Sequence, residues 1–209
     1  GGANNFSEGL AAVMSEYGGK WGFIDKTGKF VIPFGKLGEA HSFHNGLAIV
    51  AKGYDKKWGI IDKTGKEVIP FKWSWIDDLS EGLYAVKSGH KWGYINEKGK
   101  LVIPCTWKKA DSFNKGIARV MDENDRYGFI DKTGKMVIPC QWEQMGSSFK
   151  DGLMEVMNDN FKHGFIDMTG KVVIPCQWKK VTPFDKGIAK VMDGDGIWHR
   201  IDKTGKIIE

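Results

Sequence analysis

An all-β tandem repeat is the fold that this sequence of 209 residues predicts. Three observations predict it. A pattern Phe-x-x-Gly-Leu-Ala-x-Val begins near positions 6, 43, 79, 113, 149 and 184, so six copies of about 35 residues fill the chain. Glycine is abundant, with 28 residues against six prolines, which calls for many tight turns. Nine tryptophans, twelve phenylalanines and five tyrosines require a core and exclude a disordered chain.

Each copy contains three strand-like blocks. In Gly116–Val120 and Gly152–Val156 the charged Arg119 or Glu155 stands between apolar residues, so one face is buried and the other is wet. The second block reads WGFID from Trp21, WGIID from Trp58, WGYIN from Trp92, YGFID from Tyr127, HGFID from His163 and WHRID from Trp198, and it is apolar on both faces. A turn of the form Asp-Lys-Thr-Gly-Lys follows, with glycine where a hairpin loop ending in a G1 bulge needs a left-handed residue, so the second and third blocks should pair antiparallel. The third block, Val-Ile-Pro, is expected to stop at its proline, which cannot donate to a ladder. The one candidate for a helical turn is the segment after it, such as residues 105–112.

Each copy is therefore expected to be a three-stranded β-meander, too small to bury enough surface alone and stable only when stacked on its neighbours. The reading is one domain over residues 1–209, six tandem meanders in an open, elongated, solenoid-like array, with a closed six-bladed propeller-like ring as the alternative. The open form is favoured because propeller blades usually have four strands and roughly 40 residues or more. It is also favoured by departures in the terminal copies, His199, Arg200 and Glu209 at one end and Lys36 and Leu37 at the other, which read as polar caps.

These blocks resemble the bacterial WG-repeat family, also called the KWG repeat, over nearly all of residues 6–209. The resemblance rests on the WG pair, the D-x-T-G-K turn, the V-I-P run and the F-x-x-G-L-A-x-V strand in fixed order. It implies an all-β repeat in bacterial proteins that mediates interactions, and it supplies no catalytic residue. Where the WG pair becomes Tyr127–Gly128, His163–Gly164 and Trp198–His199, an aromatic or flat side chain is kept more firmly than tryptophan itself.

Composition narrows function further. A net charge of +5 from 31 basic and 26 acidic residues is no nucleic-acid footprint without local clustering. No run approaches the roughly 20 apolar residues needed to span a bilayer as a helix. Cys105, Cys140 and Cys176 share a slot that holds Phe34 and Phe71 in the first two copies, so they read as apolar fillers rather than catalytic thiols. Three unpaired cysteines favour a cytoplasmic, reducing compartment, with a secreted or envelope location left open. Asp193-Gly-Asp195-Gly lacks the rest of a calcium loop, His41 and His44 lack further metal ligands, and no catalytic or cofactor-binding motif occurs.

Three sets of side chains are candidates for recognition. Trp73, Trp107, Trp142 and Trp178 recur three residues after proline and either stack sugars or choline-like cations or, as the stronger reading, pack one copy on the next. Turn lysines, among them Lys26, Lys29, Lys63, Lys66, Lys132 and Lys135, are candidates for binding a polyanion, against the plainer role of keeping hairpin edges soluble. Loops between the first and second blocks vary most, and Tyr17, Tyr54, Trp75, His90, Asp125, Phe161 and Asp195 are the candidates for contacting a partner. The expected function is a non-enzymatic scaffold for protein interaction, with no cofactor and with another protein or another domain of the same polypeptide as partner. A module for cell-wall glycan, a choline-like ligand or a polyanion is the alternative.

Overall fold

The structure is a computed structural model that describes residues 2–16, 19–53 and 55–208. The described residues form strands and turns with no helix, and the chain divides into two compact units, residues 1–106 and 107–209. In the first unit, β1 (Leu10–Met14), β2 (Trp21–Asp25), β3 (Phe30–Ala40), β4 (Leu47–Lys52), β5 (Lys57–Asp62) and β6 (Glu67–Trp73) lie side by side in chain order. A second sheet there holds β7 (Trp75–Ser80), β8 (Leu83–Ser88), β9 (Lys91–Asn96) and β10 (Leu101–Trp107). In the second unit, β11 (Lys109–Ala110), β12 (Ile117–Met121), β13 (Tyr127–Asp131) and β14 (Met136–Trp142) form one sheet. Next come β15 (Gln144–Met145), β16 (Leu153–Met157), β17 (His163–Asp167) and β18 (Val172–Trp178), then β19 (Lys180–Val181), β20 (Ile188–Met192) and β21 (Trp198–Asp202).

Each copy forms a three-stranded meander, such as β12–β13–β14, and its sheet gains a further strand from how one copy hands over to the next. After Trp142 the chain bends and contributes the two-residue β15 to the following sheet, where Gln144 faces Met157 and Met145 faces Val156. Each complete sheet of the second unit therefore has four strands, the first borrowed from the preceding copy. The segment proposed as a helical turn, residues 105–112, is the end of β10 followed by β11.

Proline does not end the third strand either. β18 runs through Pro175, and the slack comes from a register shift: His163 faces Trp178 while Phe165 faces Ile174, so a longer stretch of β18 bulges over a shorter stretch of β17. Proline fits in this slack because no ladder bond is asked of it there. The glycine after the aromatic lies directly beneath. A Cβ on Gly164 would stand 2.5 Å from the Ile174 carbonyl oxygen, closer than any side chain tolerates, and Gly22, Gly59, Gly93 and Gly128 are crowded in the same way. In the sixth copy His199 takes this place, and among the described residues no strand crosses it. Only the Ile201–Ile207 bridge and a bond from the Ile208 N–H to the Arg200 carbonyl, at 2.8 Å, remain there.

The hairpin turns match the expectation. Asp167 N–H donates to the Lys171 carbonyl at 2.9 Å, Gly170 closes the turn at φ 85°, and the Asp167 Oδ1 accepts from the Thr169 and Lys171 N–H groups and from the Thr169 hydroxyl. These turns also join copies. A Cβ on Gly170 would lie 3.2 Å from Ile138 of the preceding copy, and Gly65, Gly99 and Gly205 rest in the same manner on Ile32, Ile69 and Ile174. The Phe-x-x-Gly segments are two-residue hairpins with left-handed residues in succession, as at Asn45–Gly46, and they too link copies. The Glu8 carboxylate accepts from Gly46 N–H at 2.9 Å and pairs with Lys63 at 3.1 Å, and Asp151 accepts from Gly187 N–H at 2.7 Å.

The core sits between successive sheets. Phe129, Ile138 and Trp142 of one copy meet Met145, Met154 and Val156 of the next, and Trp178 likewise meets Phe184, Ala189 and Val191. In the first copy Leu37 faces Trp21 where Trp73 faces Trp58, so a leucine displaced by one residue fills the tryptophan slot. The terminal copies are not polar caps. Phe6, Phe30 and Phe34 are exposed at one end and Ile197, Trp198, Ile207 and Ile208 at the other, where Trp198 has no crossing strand to cover it.

Two outcomes are expected. Gly164→Ala should cost about 2–4 kcal/mol because a backbone carbonyl cannot retreat, whereas Gly194→Ala, which meets open space, should change stability by less than about 0.5 kcal/mol; urea unfolding of both variants checks this. The Thr hydroxyls, and beyond them the turn N–H groups, hold the carboxyls of Asp25, Asp62, Asp131, Asp167 and Asp202 below the usual aspartate value. Stability from these turns is thus fully present above about pH 4 and is lost as pH falls through the depressed folded values. Replacing all five by Asn, the residue that Asn96 already supplies in the third copy, should flatten the acid limb of a melting-temperature profile; an unchanged limb would refute the assignment.

Candidate functional site

In the fourth, fifth and sixth copies the hairpins joining the first and second strands use the same capped turn with a different residue at its left-handed position. Asn158 Oδ1 accepts from the N–H groups of Asn160 and Lys162 at 3.0 and 3.1 Å, and Phe161 follows at φ 56° with 68% of its surface exposed. Asp122 builds the equivalent tip with Asp125 at φ 62°, and Asp193 builds the third with Gly196 at φ 86°. The tips of the fourth and fifth copies are tied together: the Arg126 guanidinium reaches Glu143 at 2.6 Å and Asp159 at 2.5 Å. Asp125 is paired with Lys108, which holds its carboxyl below the usual range. Asp195 is exposed on the sixth tip, beside Asp193, whose second oxygen is taken by His199 Nε2 at 2.7 Å.

In the first unit Trp75 and His90 come together. With Ser74, Lys87 and Trp92 they line an open depression of about 390 Å³. Trp75 is 36% exposed, its ring packed 4.7 Å from that of Trp58, which is buried, so an accessible indole stands on a rigid base. Tyr17 and Tyr54 lie outside the described residues. The turn lysines Lys26, Lys29, Lys66, Lys132 and Lys135 are exposed, whereas Lys63 is engaged by Glu8.

Trp73, Trp142 and Trp178 are buried and Trp107 is half-buried, so this row is the packing between copies and offers no open stacking platform. Their indole N–H groups are buried and have no partner among the described residues. The three cysteines are half-buried, and burial raises each thiol, Cys140 to about 11, which leaves them as neutral thiols near pH 7. Among the described residues no three His, Cys, Asp or Glu side chains converge as a metal centre requires.

Clefts between neighbouring copies are the feature that linear reading missed. One of about 450 Å³ in the second unit is walled by Asp111, Ser112, Arg119, Phe129, Phe149 and Met168. Arg119 is fixed there by Asp111 at 2.8 Å and by the Met145 carbonyl at 2.7 Å. A cleft of about 590 Å³ occupies the same register in the first unit, with His41, Ile49, Ile60, Asp78, Tyr84 and Glu97 among its walls. Departures from the internal repeat, such as Arg119 and Tyr84, were the available signal.

Comparison with known proteins agrees with the repeat phase. The family of the WG containing repeat matches residues 21–54, 58–92, 92–125, 127–160 and 164–196. No curated protein sequence matches this one. Among solved structures the chain is similar to BamB from Moraxella catarrhalis, with 13% identity, a TM-score of 0.48, and coverage of 100% of this chain and 72% of that one. It is similar also to Kluyveromyces lactis Hsv2, with 10% identity, a TM-score of 0.47, and coverage of 95% and 73%. For the WD40 beta propeller domain of Doa1 the values are 13%, 0.40, 99% and 80%. Five consecutive matches, each opening at or beside the aromatic–glycine pair whose crossing strand builds the sheet, place this chain in the WG containing repeat family.

Proposed function

We propose that the chain is a non-enzymatic scaffold that binds a protein, or another domain of its own polypeptide, through hairpin tips held on an invariant stack of sheets. The observation that carries this reading is Phe161. A phenylalanine at φ 56° and 68% exposed is costly twice, in backbone strain and in hydrated apolar surface, at a tip where Gly196 of the next copy meets the same turn without strain. Such a side chain is an anchor waiting for a pocket. Trp75, based on Trp58 and flanked by His90, supports the reading in the first unit. The tryptophan row is closed to a glycan by burial, and a polyanion would have to use turn lysines alone.

Phe161→Gly tests the assignment because its two effects have opposite sign. Thermal or urea unfolding should show a gain of about 1 kcal/mol from relief of the left-handed strain. Retention of a partner from source-cell lysate should nonetheless fall, and Phe161→p-benzoylphenylalanine should photo-crosslink to the same protein. Unchanged retention by Phe161→Gly, or capture only of anionic polymer, would reject the tip as the binding element.

A further inference from the structure

Three wall residues of the first unit's cleft depart from what the other copies carry at the same positions. Tyr84 stands where the other copies carry Ala11, Ala48, Ala118, Met154 and Ala189. Glu97 stands where four copies carry Lys26, Lys63, Lys132 and Lys203 and one carries Met168, and Asp78 precedes its apolar anchor where Ser42, Ser112 and Ser148 precede theirs. Within a tandem repeat the remaining copies show what the fold needs at each register position. None of these three departures is needed by the fold, and all three bring a hydroxyl or a carboxylate to one cavity.

Their chemistry is unfinished. Tyr84 is only 4% exposed, lines the cleft, and its hydroxyl has no hydrogen-bond partner among the described residues. Asp78 and Glu97 form no ion pair among those residues, and no lysine or arginine lines the cavity. Burial first, and then the charges of Glu97 and Asp78, push the Tyr84 hydroxyl above the usual tyrosine value, so it stays a neutral phenol with its oxygen free to accept. Two solvent-exposed, unpaired carboxylates and an unpartnered phenol, above a floor of Ile49 and Ile60, suit a group that is cationic, donates hydrogen bonds and carries an apolar body. A volume of about 590 Å³ is ample for such a ligand.

We infer that this cleft binds a primary ammonium ion, its charge held by Asp78 and Glu97, one N–H donated to the Tyr84 hydroxyl oxygen, and its hydrocarbon part laid on Ile49 and Ile60. The cleft of the second unit serves as a control inside the same molecule, since Ser148 and Met168 stand in the places of Asp78 and Glu97, and its own carboxylates Asp111 and Asp151 are engaged by Arg119 and by the Gly187 N–H. The site stands apart from the hairpin tips and does not depend on their role.

Titration of the 15N-labelled full chain with phenethylammonium chloride, followed by amide shifts, tests it. Saturable shifts are expected at residues 41–49 and 78–97 and not at 111–119 or 147–152. The neutral analogue 2-phenylethanol should bind at least about tenfold more weakly, because it brings no charge to the carboxylates. Asp78→Ser with Glu97→Lys installs residues that the other copies carry and so keeps the fold, which a dispersed spectrum verifies; it should abolish saturation. Tyr84→Phe, which keeps the ring, should weaken binding about three- to tenfold. A tripeptide with one central lysine and blocked ends distinguishes sources: tighter binding than phenethylammonium identifies a protein's lysine side chain, weaker binding a free amine, and either supports the site. Absence of a saturable shift, an equal response to 2-phenylethanol, or undiminished binding by the Asp78→Ser, Glu97→Lys variant would overturn it.

Discussion

The passage of the third strand over a bare glycine backbone is the contact on which each copy depends. At Gly164 the Ile174 carbonyl comes so near that any Cβ would collide with it. That closeness lets β18 bulge, lets Pro175 sit within a strand without breaking a ladder, and returns the chain to pairing at Trp178 opposite His163. The aromatic before the glycine and the tryptophan after the proline are thus two ends of one device.

The device also decides how copies join. Because the crossing ends at a buried tryptophan and then bends, each third strand supplies the first strand of the next sheet, as β14 does through β15. Turn glycines settle on the isoleucine of the preceding copy, and Trp142 and Trp178 fill the space between sheets. Four indole N–H groups in this row are buried without partners among the described residues, a cost of about 1–3 kcal/mol each that is offset because a ring of this size removes so much apolar surface from water. The surfaces that the stack does not use are the hairpin tips and the clefts between copies.

Electrostatics follow the same division. The turn aspartates face inward onto Thr hydroxyls and N–H groups, so they serve the turn, and Lys26, Lys66 and Lys135 remain on the surface beside them. Asn96 accepts from the Lys98 and Lys100 N–H groups in the same way without charge and without a Thr hydroxyl, so the turn forms without a carboxylate. Charge is thereby free to vary at positions such as Glu97, and that freedom is what allows one copy to differ in chemistry while remaining identical in fold.

The order of residues determined the repeat, its period, the identity of two strands in each copy, the G1-bulged turn and the core placement of the tryptophan row, because each of these is written in local periodicity or in a glycine at a fixed offset. Residues such as Trp75 and His90 were legible singly, as breaks in pattern or tip positions, while their shared depression was not. Tertiary structure alone decided that proline lies inside a strand, that residues 105–112 are extended, that the terminal copies expose apolar side chains, and that Asp78, Tyr84 and Glu97 meet in one cleft. The reason is physical: a register shift and a meeting of side chains from different strands are relations between segments, and no window of sequence contains both partners.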